Sequence, residues 1–264
     1  MKINNLFEGR KYEEFSQHQR EWGNKLISEL RLKGNETVLD LGCGNALTTG
    51  ELAERVPKGK VIGVDWSSSM LDVARSHKIE NRIENMELML IDINKISFNN
   101  KFDIVFSNAT LHWILNHEKL LENIYSALKN RGFMRIQFGA DGNCPHFIET
   151  LKEVIELFEF KKYFENFKWP WYMPKLKDYE TLLSKTKFRN CKAWGENINY
   201  YFPDEKAMIG WIEQPSIIPL IAVLPRNLRD SFRNLVIEKM IEKTKQADGT
   251  YLEIFSRINA YAEK

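Results

Sequence analysis

Two glycines, three carboxylates and a histidine beside a tryptophan are the residues whose types and spacing could do chemistry in this chain. The run V-L-D-L-G-C-G-N, Val38 to Asn45, places Asp40 just before Gly42 and Gly44. Glycines at such a turn let backbone N–H groups and the start of the next helix approach a ligand closely. A dinucleotide turn, G-x-G-x-x-G, needs a third glycine for close helix–strand packing, and Leu47 occupies that position. Asp40 would also repel a pyrophosphate, whereas it suits the ammonium of an amino-acid group. Asp65 ends the next apolar run and can accept both ribose hydroxyls of an adenosine. Its alternative role, capping the following helix, is already filled by Ser67 to Ser69. Asp92 closes a third run, where it could accept from the adenine amine with Ile93 against the ring, or simply form a turn. Cys43, Trp66, Met70 and Asn108 lie in or beside the same loops and complete the expected binding set.

These groups must be held by the elements around them. Trp22, Leu26, Ile27 and Leu30 recur at helical spacing, and Lys33-Gly34-Asn35 ends that helix. Strands are predicted at Thr37 to Leu41, Lys60 to Val64, Met86 to Ile91, Phe102 to Phe106 and Phe133 to Phe138. Helices are predicted from about Ala46 to Val56, from the serine run onward, and around Leu120, Leu121, Ile124 and Leu128. Strands alternating with helices predict an α/β fold: a Rossmann-like, doubly wound, mostly parallel sheet, seven-stranded once the late strands are added. Such sheets bind ligands beyond the carboxyl ends of their strands, so the loops after Leu41, Val64, Ile91 and Phe106 should converge.

The second half reads differently, with the aromatic run F-K-W-P-W-Y-M-P from Phe167 to Pro174, a strand ending at Phe202, and a helical stretch from Asp204 to Gln246. A final strand, Tyr251 to Tyr261, should return to the sheet. The expected plan is one domain over 1–264, with a cofactor half at 1–139 and partly helical lid insertions at 140–178 and 203–246. Residues 179–202 and 247–264 are expected to supply the C-terminal strands.

Composition narrows the function further. With 43% hydrophobic and 28% charged residues the chain reads as an ordinary globular protein. Its 38 basic residues barely exceed its 36 acidic ones and form no block, which argues against a nucleic-acid partner. Cys43, Cys144 and Cys191 have no zinc-site or disulfide spacing, so no metal is expected. The N-terminus lacks an apolar signal core, and the stretch Ile217 to Leu224 is too short to span a bilayer and is broken by Pro219, so a cytoplasmic protein with no membrane partner is expected. A monomer or weak dimer is the expected state.

The acidic-x-Gly-x-Gly turn and the acid after the second strand resemble the class I S-adenosylmethionine-dependent methyltransferases, over roughly Tyr12 to Phe138. Tyr12 with Gln19, the run S-N-A-T-L-H-W-I from Ser107, and F-P-D-E-K-A-M-I-G-W-I from Phe202 resemble the trans-aconitate methyltransferase group. The first two elements are also similar to the malonyl-acyl-carrier-protein methyltransferases. The resemblance implies S-adenosylmethionine as cofactor, S-adenosylhomocysteine as product and a small-molecule acceptor, with carboxylate O-methylation first and a phenol or amine acceptor second. A cofactor-binding protein without catalysis is the alternative from another class. The resemblance also places Tyr12 and Gln19 over the cofactor's carboxylate and turns His112 and Trp113 toward the transferred methyl, where a capping histidine beside a core tryptophan is the alternative.

A carboxylate acceptor needs no general base, because it is ionised near neutral pH and is held back mainly by hydration. A cation clamp and an aromatic lid would suffice, and Trp169, Trp171, Tyr172, Tyr200, Tyr201 and Trp211 are candidates for the lid. One departure stands out. The group's pattern implies an arginine before the proline of the later segment, but Ile218 precedes Pro219 here; Arg226, Arg229 and Arg233 are the nearby substitutes, or else solvated helix surface.

Overall fold

The β-branched and aliphatic runs become β1 (Thr37–Leu41), β2 (Lys60–Asp65), β3 (Met86–Leu90), β4 (Phe102–Asn108) and β5 (Leu128–Gly139), followed by β6 (Arg189–Phe202) and β7 (Tyr251–Glu263). In the computed structural model, which describes residues 14, 15 and 17–264, they form one sheet in the order β3-β2-β1-β4-β5-β7-β6. The first five strands are mutually parallel, and β7 runs antiparallel to β5. Connections from β1 lead to β2 and β3 on one side, while β4 and β5 lie on the other. The order therefore reverses between β1 and β4, where an open α/β sheet forms its ligand crevice.

Alternate residues of each strand face opposite layers. Leu39, Leu41, Ile62, Val64, Val105, Ile136 and Phe138 join one core, beneath α4 (His117–Ala127) and α7 (Leu176–Ser184). Val38, Val61, Ile104 and Phe106 join the other, beneath α1 (Gln17–Ser28), α2 (Leu47–Arg55) and α3 (Ser68–Glu80). Ser67 caps α3 by accepting from the Met70 N–H, as the serine run predicts.

The later half departs from the expected boundaries. Residues 176–184 are helical and the strand begins only at Arg189, because Leu176, Tyr179 and Leu183 share one helical face and fill the core. Helices α5 (Pro145–Ile155) and α6 (Phe158–Phe164) lie in the stretch expected to be partly helical, where no individual helix had been placed. The helical stretch expected from Asp204 to Gln246 consists of α8 (Glu205–Trp211), a π-helical turn Ile212–Ser216, α9 (Ile218–Val223) and α10 (Arg226–Thr244). Pro219 and Pro225 sit where helices start, since proline cannot continue one from inside.

The chain divides into two compact units. One holds 17–141, 171–196 and 257–264, and thus β1 to β5 with the first part of β6 and the last part of β7; the other holds, among the described residues, 14, 15, 142–170 and 197–256. In the second unit, Trp211 is a core residue ringed by Phe147, Phe202 and Phe255, so packing explains it better than a lid does. Glu253 there is buried, accepts from the Phe147 N–H at the start of α5 and pairs with His146 at 3.0 Å. Among the described residues no helix is long and apolar enough to cross a membrane.

Candidate functional site

Every expected cofactor residue except Tyr12 falls in the sheet unit; Tyr12 lies outside the described residues. The turn after β1 forms as its glycines demand. Gly42 and Gly44 take φ of +76° and +54°, and a Cβ at Gly42 would sit 2.1 Å from Thr110 Cγ2. The N–H groups of Gly42 and Cys43 both donate to the Val64 carbonyl, at 2.8 and 3.0 Å, which holds the turn against the end of β2. From β4, Ser107 Oγ donates to the Leu41 carbonyl at 2.7 Å, and from the loop just beyond it Thr110 Oγ1 donates to the Gly42 carbonyl at 3.1 Å. Thr110 is a site residue that sequence reasoning missed; only its place in the S-N-A-T run pointed to it.

Asp40 is buried, and its Oδ2 accepts from the Thr49 hydroxyl at 2.7 Å. Burial pushes its carboxyl up to about 7; the Thr49 hydrogen bond lowers it and the Asp65 charge adds to the rise. A cation docked beside it would reverse that shift. Two more observations point to the same chemistry. Gln19 Oε1 and Asn45 Nδ2 are buried side-chain atoms with no hydrogen-bond partner. One is an acceptor on α1 and the other a donor in the turn, and buried polar atoms without partners mark places where ligand or water belongs. An end group bearing both an ammonium and a carboxylate fits this set of a carboxyl, an acceptor and a donor.

Asp65 is engaged on both oxygens. Oδ2 accepts from the Gly44 N–H at 3.0 Å and Oδ1 from the Ser67 N–H at 2.8 Å. It therefore braces the start of α3, near the capping role weighed as its alternative, and also the glycine turn, which the sequence had not revealed. Each carboxylate oxygen retains a second lone pair for a ribose hydroxyl. Desolvation raises its carboxyl while those backbone bonds lower it. Cys43 turns its side chain into the core against Gly63, so at the turn it offers backbone only. Met70 Cε lies 3.1 Å from where a Gly44 Cβ would be, and Trp66 stays 41% exposed at the rim. Asp92 caps the short 3-10 turn Ile93–Lys95 through Oδ1, which accepts both Asn94 nitrogens at 2.9 Å. Ile93 is buried in the core, which supports its turn-forming role more than ring stacking.

Asn108, at the end of β4, donates to the Gln19 carbonyl at 2.8 Å and accepts from Arg257 Nη2 at 3.2 Å, joining α1 to two strands. Beyond it, the His112 Nδ1 accepts from the Gly139 N–H at 3.4 Å, so the proton of the neutral ring belongs on Nε2. Burial first, then the charges of Arg257 and His117, pull His112 down to about 3. His117 is also neutral, pulled to about 4 by burial, with Nε2 donating to the Leu111 carbonyl at 2.9 Å. Trp113 stands edge-on to Trp171 with centroids 5.7 Å apart, and the Tyr172 N–H donates to the His112 carbonyl at 2.7 Å. Those two members of the aromatic run thus enclose the His112–Trp113 corner. Trp169, Tyr200 and Tyr201 belong to the other unit. Arg229 and Arg233 there bond the Leu224 carbonyl and Glu213 with Asp230, serving α9 and α10. Among the described residues no cluster of side chains could hold a metal ion.

A family model described as a methyltransferase domain matches residues 32–201. The trans-aconitate 2-methyltransferase of Acidovorax sp. (strain JS42) is 25% identical over 255 residues, 96% of each chain. The malonyl-[acyl-carrier protein] O-methyltransferase of Bacillus cereus is 27% identical over 161 residues, 60% of this chain and 56% of that one. Among solved structures, phosphoethanolamine N-methyltransferase 2 of Haemonchus contortus, in complex with phosphomonomethylethanolamine and S-adenosylhomocysteine, superposes with a TM-score of 0.59. It is 21% identical and covers 100% of this chain and 60% of that one, a likeness of fold.

Proposed function

Since the chain belongs to the methyltransferase-domain family and uses S-adenosylmethionine as its methyl donor, we propose that it methylates an oxygen of a small carboxylic acid. The bound sulfonium supplies an electrophilic methyl group. Asp40 would take the ammonium of the donor's amino-acid end, with Gln19 and Asn45 meeting its remaining polar atoms. Asp65 would accept from the ribose through its second lone pairs, while Asp92 and Ile93 serve the turn after β3 rather than the adenine ring. Tyr12, by resemblance, belongs with Gln19.

His112 carries the choice of acceptor. A phenol or ammonium acceptor must lose a proton before or during attack, which asks for a base poised near working pH. A histidine held near 3 that already accepts a backbone N–H at Nδ1 is a poor one. Its Nε2–H can instead donate to an acid that arrives ionised. Trp113, Trp171 and Tyr172 then reduce the hydration that keeps a carboxylate unreactive. The named acceptors of the trans-aconitate and malonyl relatives support the same class. The lid role of 140–178 and 203–246 is part of this reading.

The test is incubation with the methyl donor and a panel of trans-aconitate, malonyl thioester, simple phenols and amines, followed by mass spectrometry. Methyl esters that are cleaved by mild base support the reading. Methylation confined to phenols or amines refutes it, and tight donor binding with no product from any class favours a non-catalytic binding protein.

A further inference from the structure

On the α1 side of the sheet, β4, β5 and β7 present paired residues in rows. Asn108 pairs with Gln137, Gln137 with Asn259, and the next pair on that face is Gly139 with Arg257. Because Gly139 has no side chain, the Arg257 guanidinium reaches back across β5 to Asn108 Oδ1 on β4, at 3.2 Å. It lies over the Trp22 ring, 4.3 Å from the centroid, and is only 4% exposed. Stacking and the Asn108 bond together fix the plane of the guanidinium, and a fixed fork suits planar recognition of a carboxylate. On its other side Gly139 donates to His112, so cation and histidine flank one glycine where β5 ends. On the same face Gln137 Oε1 is buried with no hydrogen-bond partner and Gln137 as a whole is 1% exposed; as an acceptor it marks room beside the guanidinium for a water or another donor that arrives with the ligand, not for the carboxylate itself.

We propose that Arg257 binds a carboxylate of the methyl acceptor and so determines that the acceptor is an anion. This rests on the carboxylate-methylation reading above. It supplies from β7 the cation that the resemblance placed before Pro219, where Ile218 stands. The donor's own amino-acid carboxylate offers the same chemistry, but position favours the acceptor. The donor's end is met by Asp40 and Asn45 beyond β1, whereas Gly139, the residue opposite Arg257, donates to His112, which the reading above places beside the acceptor.

Calorimetry on protein saturated with S-adenosylhomocysteine tests this, using trans-aconitate and malonate as probes, each against its fully methylated ester, with wild type, Arg257→Gln and Arg257→Lys. A hydrogen-bonded ion pair lost from a buried site weakens binding by about tenfold or more. Arg257→Gln should lose that much for the acids and nothing for the esters. Arg257→Lys should recover part of the loss, and S-adenosylhomocysteine affinity should stay within about twofold throughout. Unchanged acid affinity in Arg257→Gln overturns the proposal, as does a wild type that binds neither acid better than its ester. Loss confined to S-adenosylhomocysteine also overturns it, by placing the carboxylate on the donor. If Arg257→Gln does not fold, the acid-versus-ester contrast in Arg257→Lys decides. Acid binding that depends on Arg257 with no ester formed on turnover would refute the reaction proposed above and leave the assignment of Arg257 standing.

Discussion

Replacing Asp40 by Asn should stabilise the protein without its cofactor and weaken its grip on S-adenosylhomocysteine, and both effects should follow pH. Burial lifts the Asp40 carboxyl from 3.8 to about 7. At 1.36 kcal/mol per unit, keeping it ionised in the folded protein costs about 4 kcal/mol as an upper bound. Because the folded value lies above the unfolded one, the stability this group contributes is complete below about pH 4. It is lost as pH rises through 7 and levels off beyond. Asparagine keeps an oxygen for the Thr49 hydroxyl and has no charge to lose. The melting temperatures of variant and wild type should therefore diverge from pH 5 to pH 8, by up to on the order of 10 °C for a chain of this size. Binding should move the other way. An ammonium beside Asp40 draws its carboxyl back down, so binding expels a proton, and wild-type affinity should tighten about tenfold per pH unit below 6 before levelling above 7. The variant should bind more weakly at pH 7.5 and show a flat profile. Differential scanning fluorimetry, and calorimetry in two buffers of different ionisation enthalpy, read both quantities. Parallel melting curves together with identical pH profiles of affinity would falsify the assignment of Asp40 to the ammonium.

Three further outcomes are expected. Gly42→Ala should lower stability by about 2 kcal/mol or more, read as a fall in Tm, since it combines a positive φ with a Cβ 2.1 Å from Thr110 Cγ2; an unchanged Tm would mean that the turn can relax. Gln19→Leu removes a buried acceptor that has no partner, so the cofactor-free protein should gain up to about 1 kcal/mol while S-adenosylhomocysteine binds several-fold more weakly; tighter binding would contradict the role given to Gln19. With donor and acid acceptor saturating, kcat should be level from pH 6 to 8, because His112 sits near 3 and carries no proton to titrate there; a rising limb centred near 6.5 would show a histidine base and favour a phenol or amine.

Much of the donor half was legible because its signals are local. The strand Thr37–Leu41 and the serine cap of α3 come from residues adjacent in the chain, and Asp40 is given away by the glycines beside it. The bracing role of Asp65 was not legible, since it depends on Gly44 and Ser67 meeting one carboxylate from two sides. Thr110 against Gly42 and Asn108 against Gln19 are likewise long-range contacts. Arg257 was hidden most thoroughly. Nothing in Y-L-E-I-F-S-R-I-N-A-Y marks one arginine as buried until the pairing of β7 with β5 sets it opposite a glycine. The bounds of α5 to α7 were not legible because these helices have only 11, 7 and 9 residues, too few turns for an apolar period to stand out beside the aromatic run.

The strand that carries Arg257 is the last of the seven in the chain, yet it lies between β5 and β6. During synthesis the donor turn, both glycines and Asp65 can therefore assemble while the sheet still shows the open backbone edge of β5. Open edges invite pairing with other chains, so the interval before β7 emerges leaves that edge of β5 exposed. A polypeptide cut short before Arg257 would meet that hazard permanently. It would also lack the cation proposed to choose what is methylated.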